Sequence, residues 1–192
     1  MRPPEDFSPA AGNIELPTHY PLFAGEDAPL NDLLFLCNLA RGRNARRILE
    51  VGTYRARTTY AFHLNCPEAE IVSYDIQRLE SPYREKLLQS NKASLRLASF
   101  SDSAESLRKE PPFDLIFVDG SHQIDDVVKD SRLALELVSP QGIIVWHDYR
   151  LNGRYENGLR VPEGLDIIRQ STDLFAVAHT TCAVYEKKPA AN

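Results

Sequence analysis

The 192-residue sequence predicts an α/β fold: a doubly wound, mostly parallel seven-stranded sheet that ends in an antiparallel hairpin. Three observations predict it. Short apolar runs alternate with amphipathic helical patterns, as strand–helix–strand crossovers over a parallel sheet require. Two of these runs, Phe113 to Val118 and Ile143 to Trp146, stop abruptly at Asp119-Gly120-Ser121-His122 and at His147-Asp148. The final two runs are separated only by His179-Thr180-Thr181, a gap too short for a crossover helix, so they pair antiparallel.

The elements follow in order. Residues 1–29 carry Pro3, Pro4, Pro9, Pro17, Pro21 and Pro29, which disfavour helix and central strand. They form an arm, packed on the body or on a partner subunit of a homo-oligomer, and residues 30–192 form a single domain. Pro29 opens a helix over Leu30 to Leu39, closed by Gly42. Strands are expected at Arg47 to Val51, Ile71 to Tyr74, Leu95 to Ala98, Asp114 to Val118 and Ile143 to Trp146. Helices are expected at Thr58 to Leu64, Pro82 to Gln89, Ser103 to Lys109, Ile124 to Val138 and Glu163 to Gln170. Leu174 to Ala178 and Cys182 to Glu186 are the hairpin strands.

Composition excludes several function classes. Apolar residues make up 43% and charged residues 26%, ordinary values for a globular chain. The net charge of −5, from 22 basic and 27 acidic residues, lacks the basic balance that nucleic-acid binding uses. The cluster Arg41, Arg43, Arg46, Arg47 reads as a solvated helix end. Cys37, Cys66 and Cys182 are far apart, odd in number and without metal-ligand spacing, which points to reduced thiols in the cytoplasm. No apolar run reaches the length of a membrane span, and the amino terminus lacks the order of a signal peptide.

The segment Ile48-Leu-Glu-Val-Gly52-Thr-Tyr-Arg-Ala-Arg-Thr-Thr59 is a strand, a turn and a helix start. Gly52 permits a tight turn and a close ligand, and the amides opening the helix suit a carboxylate or phosphate. The G-x-G-x-x-G pattern of pyrophosphate binders is missing, so a smaller anion is expected, such as an amino-acid carboxylate. The second strand ends at Asp75, 25 residues after Glu50, where an acid accepts hydrogen bonds from both ribose hydroxyls. Ribose plus amino-acid carboxylate, without phosphate, describes S-adenosylmethionine.

Glu50-Val-Gly-Thr-Tyr54, Tyr74-Asp75, Phe117-Val-Asp-Gly-Ser-His122 and Gly142-Ile-Ile-Val-Trp-His-Asp-Tyr149 together resemble the class I S-adenosylmethionine-dependent methyltransferases, with their Rossmann-like fold. The chain is most similar to a small bacterial branch with VDGSH and HDY motifs, over about residues 45–187. The resemblance implies a cofactor site built from Glu50, Gly52, Thr53, Tyr54, Asp75, Ser101, Asp102, Asp119, Gly120 and His122. In it Asp102 receives the adenine amino group, although Ser101 and Ser103 fit a simple helix cap equally well. Many relatives have glycine where this chain has Ala56, a departure that bears on cofactor affinity.

Methyl transfer from a sulfonium needs alignment and, for a hydroxyl acceptor, help with deprotonation. Asp119, His122 and Asp148 are the candidate catalytic residues. A more distant branch of the superfamily binds a divalent metal with an acid after the fourth strand and two adjacent residues after the fifth. The similar positions here are Asp119, His147 and Asp148, for magnesium or manganese. The alternatives stay open: His147 bonded to backbone, Asp148 capping a turn, His122 capping a helix. Tyr149 to Pro162, with Arg150, Arg154, Tyr155 and Arg160, is expected to be a lid over the acceptor. The expected function is methylation of a small-molecule acceptor, at oxygen rather than nitrogen. A nicotinamide-dependent oxidoreductase and a non-catalytic S-adenosylmethionine-binding module are the competing readings.

Overall fold

The computed structural model describes residues 13–17, 28–149 and 158–188. Helix α1 (Leu30–Gly42) leads into β1 (Arg47–Val51), followed by α2 (Arg57–Asn65), β2 (Glu70–Asp75), α3 (Pro82–Leu88) and β3 (Ala93–Leu97). A 3-10 turn at Ser101–Ser103 and the one-turn helix α4 (Ala104–Leu107) precede β4 (Phe113–Val118), α5 (Ile124–Leu137) and β5 (Val138–Trp146). Helix α6 (Val161–Ile168), β6 (Phe175–Ala176) and β7 (Ala183–Glu186) complete the fold.

The strands form one seven-stranded sheet in the order β3-β2-β1-β4-β5-β7-β6. Strands β1 to β5 are parallel, and β7 runs antiparallel to both β5 and β6. The strand order reverses between β1 and β4, so the crevice outside their carboxyl ends is the place for a ligand. This is the expected doubly wound fold with its terminal hairpin.

The central strands are apolar without interruption because successive residues enter two different cores. On one face Leu49, Val51, Ile116, Val118, Ile144 and Trp146 pack with Val127, Leu133 and Leu137 of α5 and Leu165 and Ile168 of α6. On the other, Ile48, Leu115, Phe117, Ile143 and Val145 pack with Phe35, Leu36 and Leu39 of α1 and Phe62 of α2. Trp146 is buried, and its indole N–H donates to Ser131 Oγ at 2.8 Å, which satisfies the one polar group it carries into the core.

Element boundaries differ from expectation where tertiary contacts override local pattern. Strand β5 starts directly at the end of α5, because Val138 already pairs with Phe113 before the register shift that brings in Ile143. Strand β6 keeps only two residues, since its pairing with β7 ends at Ala176. Of the arm, residues 13–17 and 28–29 are described, and residues 13–17 lie on the body. Ile14 and Leu16 pack against Leu33, Cys37 and Ala61, while Asn65 accepts from the Glu15 amide at 2.9 Å and donates to its carbonyl at 2.7 Å.

Candidate active site

The turn after β1 is built from backbone. Gly52 has φ 96°, and a methyl group there would overlap the Asp119 carbonyl oxygen, so only glycine fits beside β4. The Gly52 and Thr53 amides donate to the Tyr74 carbonyl at 2.8 and 3.2 Å, and the Asp119 amide donates to the Val51 carbonyl at 2.8 Å. These bonds lock the ends of β1, β2 and β4 together. Tyr54 and Ala56 sit in the left-handed region at φ 45° and 63°, and no side chain caps the start of α2.

Asp75 ends β2 beside this turn. Its carboxylate accepts from the Tyr54 amide at 2.6 Å and from the Gln77 amide at 2.8 Å, which fixes both oxygens at the mouth of the crevice. Glu50 lies beneath, only 1% exposed, and accepts from Ser73 Oγ at 2.5 Å and from Thr59 Oγ1. Ser73 Oγ is in turn 2.7 Å from Thr53 Oγ1. Burial pushes the Glu50 carboxyl up to about 8 against the lowering effect of its two hydroxyl donors.

At the ends of β4 and β5 the site is built from charged side chains. His147 is 7% exposed, and its Nε2 lies 3.0 Å from Oδ2 of Asp32, a carboxylate of α1 that is itself 1% exposed. Its Nδ1 faces Asp119 Oδ1 at 3.1 Å and Asp148 Oδ2 at 3.4 Å, ion-pair distances without hydrogen-bond alignment. Burial opposes charge on His147, but Asp119, Asp148 and Asp32 outweigh it and raise the imidazole well above its usual range. Asp32 is held further by Thr181, whose Oγ1 and amide donate to it at 2.6 and 3.0 Å.

His122 completes the cluster. Its Nε2 lies 3.2 Å from Asp148 Oδ2, and that contact raises the imidazole above its usual value against the opposing effect of burial. Asp148 stands at φ 55°. Burial opposes its ionisation, but His122 and His147 together hold its carboxyl well below the ordinary carboxylate range. Asp119, His122 and Asp148 each offer a ligand atom, all within 4.8 Å of one another.

With this geometry in hand, the comparisons with known proteins decide the family. The methyltransferase-domain family matches residues 34–149. The chain belongs to this family. No curated protein matches it. Solved structures do: the S-adenosylhomocysteine-bound methyltransferase of Podospora anserina is 20% identical with a TM-score of 0.68, over 84% of this chain and 80% of that one. An O-methyltransferase from Bacillus cereus in complex with S-adenosylhomocysteine is 18% identical with a TM-score of 0.67, over 85% and 84%. The S-adenosylmethionine complex of the tomaymycin-synthesis O-methyltransferase of Streptomyces achromogenes is 19% identical with a TM-score of 0.64, over 84% and 82%. These likenesses show the shared fold.

Within this methyltransferase domain, the expected site residues fall into three groups. Gly52, Thr53, Tyr54, Asp75, Asp119 and Gly120 gather at the switch point between β1 and β4, and His122 joins them. Glu50 and Asp102 are placed differently. Glu50 supports the turn from below, and Asp102 is largely exposed and paired with Lys129 at 3.2 Å. Ser101 sits in the turn after β3.

Of the expected metal set, Asp119 and Asp148 lie with His122 within 4.8 Å of one another, and His147 Nδ1 faces the same two carboxylates while its Nε2 faces Asp32. His147 is bonded to a side chain of α1 and not merely to backbone. Arg150, Arg154 and Tyr155 of the expected lid lie outside the described residues, while Arg160 pairs with Glu163 and its amide donates to the His122 carbonyl at 2.9 Å.

Sequence reasoning missed Asp32, Thr181 and Ile76. Asp32 looks like an ordinary first-turn acid, and Thr181 like a hairpin turn residue. Ile76 carried a readable signal: an apolar residue directly after a strand-terminal acid, 72% exposed.

Proposed function

We propose that this chain is an S-adenosylmethionine-dependent O-methyltransferase of small-molecule acceptors, in the branch with VDGSH and HDY motifs. The observation that carries the reading is the adjacency of the glycine turn after β1 to an acid–histidine cluster at β4 and β5. The start of α2, which no side chain caps, fits an amino-acid carboxylate. Asp75 is pinned where two ribose hydroxyls would donate to it, and exposed Ile76 offers an apolar face to the base.

S-adenosylmethionine supplies a methyl group on a sulfonium, and the acidic surroundings favour that positive charge. The work left to the protein is to align the acceptor and take its proton. His122 suits this work. With Nε2 at ion-pair distance from Asp148, which favours its charged form, it takes a hydroxyl proton at Nδ1. A hydroxyl must lose a proton to become an effective nucleophile, which is why the pair favours oxygen.

Asp119, His122 and Asp148 also fit a divalent cation, magnesium or manganese, the imidazole tilting the preference toward manganese. Such an ion would supply Lewis-acid polarisation of the acceptor oxygen. No helix among the described residues is long and apolar enough to cross a membrane, and all three cysteines are free and buried, which supports a soluble enzyme of a reducing compartment acting as a single domain.

The test is transfer of labelled methyl from S-adenosylmethionine to a panel of phenols, catechols and hydroxy acids against matched amines. It is run with chelator and with magnesium or manganese restored. Hydroxyl acceptors should be methylated, and His122→Ala should lower turnover by about 10²- to 10⁴-fold. Transfer to amines alone, or no cofactor binding at millimolar concentration, contradicts the proposal. Full activity after exhaustive chelation leaves His122 and Asp148 as a metal-free pair.

A further inference from the structure

We propose that Thr181, in the turn between β6 and β7, is a positioning residue for the methyl transfer: its hydroxyl ties the Asp148 backbone to Asp32 of α1, and through Asp148 it sets where the His122 imidazole stands. The proposal rests on the assignment of His122 as the proton acceptor above. Neither Thr181 nor Asp32 has a part in that chemistry, yet both touch the cluster that performs it.

The sheet ladder stops one step short of the cluster. The last pair of β5 and β7 is Trp146 with Ala183, so His147 and Asp148 leave the sheet beyond the reach of that ladder. The His147 amide still donates to the Val118 carbonyl of β4 at 3.0 Å. The Asp148 amide is met by a side chain instead, Thr181 Oγ1, at 3.4 Å. Asp148 stands at φ 55°, a backbone state that persists in a residue other than glycine where its surroundings hold it. An amide only donates, so the hydroxyl accepts from Asp148, and its single proton is left for Asp32 Oδ2 at 2.6 Å.

These contacts close a ring. Asp32 Oδ2 lies 3.0 Å from His147 Nε2, His147 Nδ1 lies 3.4 Å from Asp148 Oδ2, and Thr181 joins the Asp148 amide back to Asp32. The Thr181 amide adds a second bond to Asp32 at 3.0 Å, which fixes the hydroxyl from its own backbone. Asp148 is thus held at amide and carboxylate at once. Among the described residues, the one ion pair of the His122 side chain is with that carboxylate, at 3.2 Å, so a swing of Asp148 passes to His122. A base works only within hydrogen-bond reach of the proton it takes, and a misplacement of about 1 Å can lower turnover about 10²-fold. The neighbouring Thr180 has a different task. Its hydroxyl donates to the Val177 carbonyl and accepts from the Cys182 amide, both at 3.1 Å, and closes the turn on itself. Two adjacent threonines therefore separate the shape of the turn from the placement of the site.

The experiment measures methyl transfer to the best hydroxyl acceptor, S-adenosylhomocysteine affinity and thermal unfolding of the full-length protein and its variants. Thr181→Val should lower kcat by about tenfold or more, with KM and S-adenosylhomocysteine affinity within about threefold of wild type. Thr181→Ser keeps the hydroxyl and should hold kcat within about threefold of wild type. Thr180→Val should lower the melting temperature while keeping kcat within about threefold. In a His122→Ala background, Thr181→Val should change turnover by less than about twofold, because the group it positions is gone. Thr181→Ala lacks the hydroxyl without adding a methyl beside Asp32, and it carries the same expectation if Thr181→Val does not fold. Wild-type kcat in the folded variants without the hydroxyl overturns the proposal, as does loss of turnover in Thr181→Ser, an equal kcat loss in Thr180→Val or a further tenfold loss in the double variant. Wild-type turnover in His122→Ala, or no transfer from wild type to any hydroxyl acceptor, overturns the assignment of His122 beneath it.

Discussion

The two halves of the site are made of different material. The turn between β1 and α2 is backbone, held by amides and carbonyls and by a glycine that tolerates nothing larger. The cluster at β4 and β5 is side chain: an imidazole among three carboxylates, with a second histidine at its edge. Backbone geometry positions a ligand without placing net charge in the protein. Charged side chains can move protons, but burying them is costly unless each is paired. The proposed function assigns binding to the first half and chemistry to the second, and each half should fail in its own way.

Gly52→Ala attacks the backbone half and should give the largest loss. The added methyl overlaps the Asp119 carbonyl and is forced into a left-handed backbone, so urea unfolding should show a drop of about 4 kcal/mol or more. A loss under about 1 kcal/mol would show that the turn has room to adjust.

Asp32→Ala attacks the charged half from 115 residues away. Removing one partner of a buried pair leaves His147 between Asp119 and Asp148 without its anchor, and the expected destabilisation is about 3 kcal/mol. Thr181→Val should lose less, about 1 to 2 kcal/mol, because Asp32 keeps the Thr181 amide and His147. Equal losses in the two variants would mean that the threonine bond, not the histidine, anchors Asp32.

Glu50 links the halves and gives a pH-dependent signal. Its folded value near 8 lies above its value in the unfolded chain, so between about pH 4.5 and pH 8 the folded state binds more protons. Stability from this group falls as pH rises through that window. Glu50→Gln, neutral at every pH, should flatten the decline in denaturant midpoints measured between pH 5 and pH 8.5. An unchanged pH profile would show that Glu50 is ionised in the fold at neutral pH.

The same contrast explains what the sequence made legible. The fold follows from local pattern: apolar runs at strand length, amphipathic spacing along α5 and a hairpin gap too short for a helix. The backbone half of the site is equally local, since Gly52 and Asp75 each end a recognisable strand. The charged half is not, because the partner that fixes His147 lies on α1 and the threonine that holds that partner lies 149 residues further on. No spacing rule connects such residues. The start of β5 was hidden for a similar reason, as Val138 pairs with Phe113 through a register shift that turn-like Ser139-Pro140-Gln141-Gly142 gives no sign of.

The division of labour is tested most directly by titrating S-adenosylhomocysteine into wild type, Asp75→Ala and His122→Ala, with methyl transfer measured on the same samples. Asp75→Ala should weaken binding by at least about tenfold, as loss of hydrogen bonds to a charged acceptor requires. His122→Ala should bind within about threefold of wild type while losing turnover by about 10²-fold or more. The reverse pattern, with Asp75→Ala binding normally and His122→Ala losing the ligand, would contradict the assignment of binding to the backbone half and chemistry to the charged one.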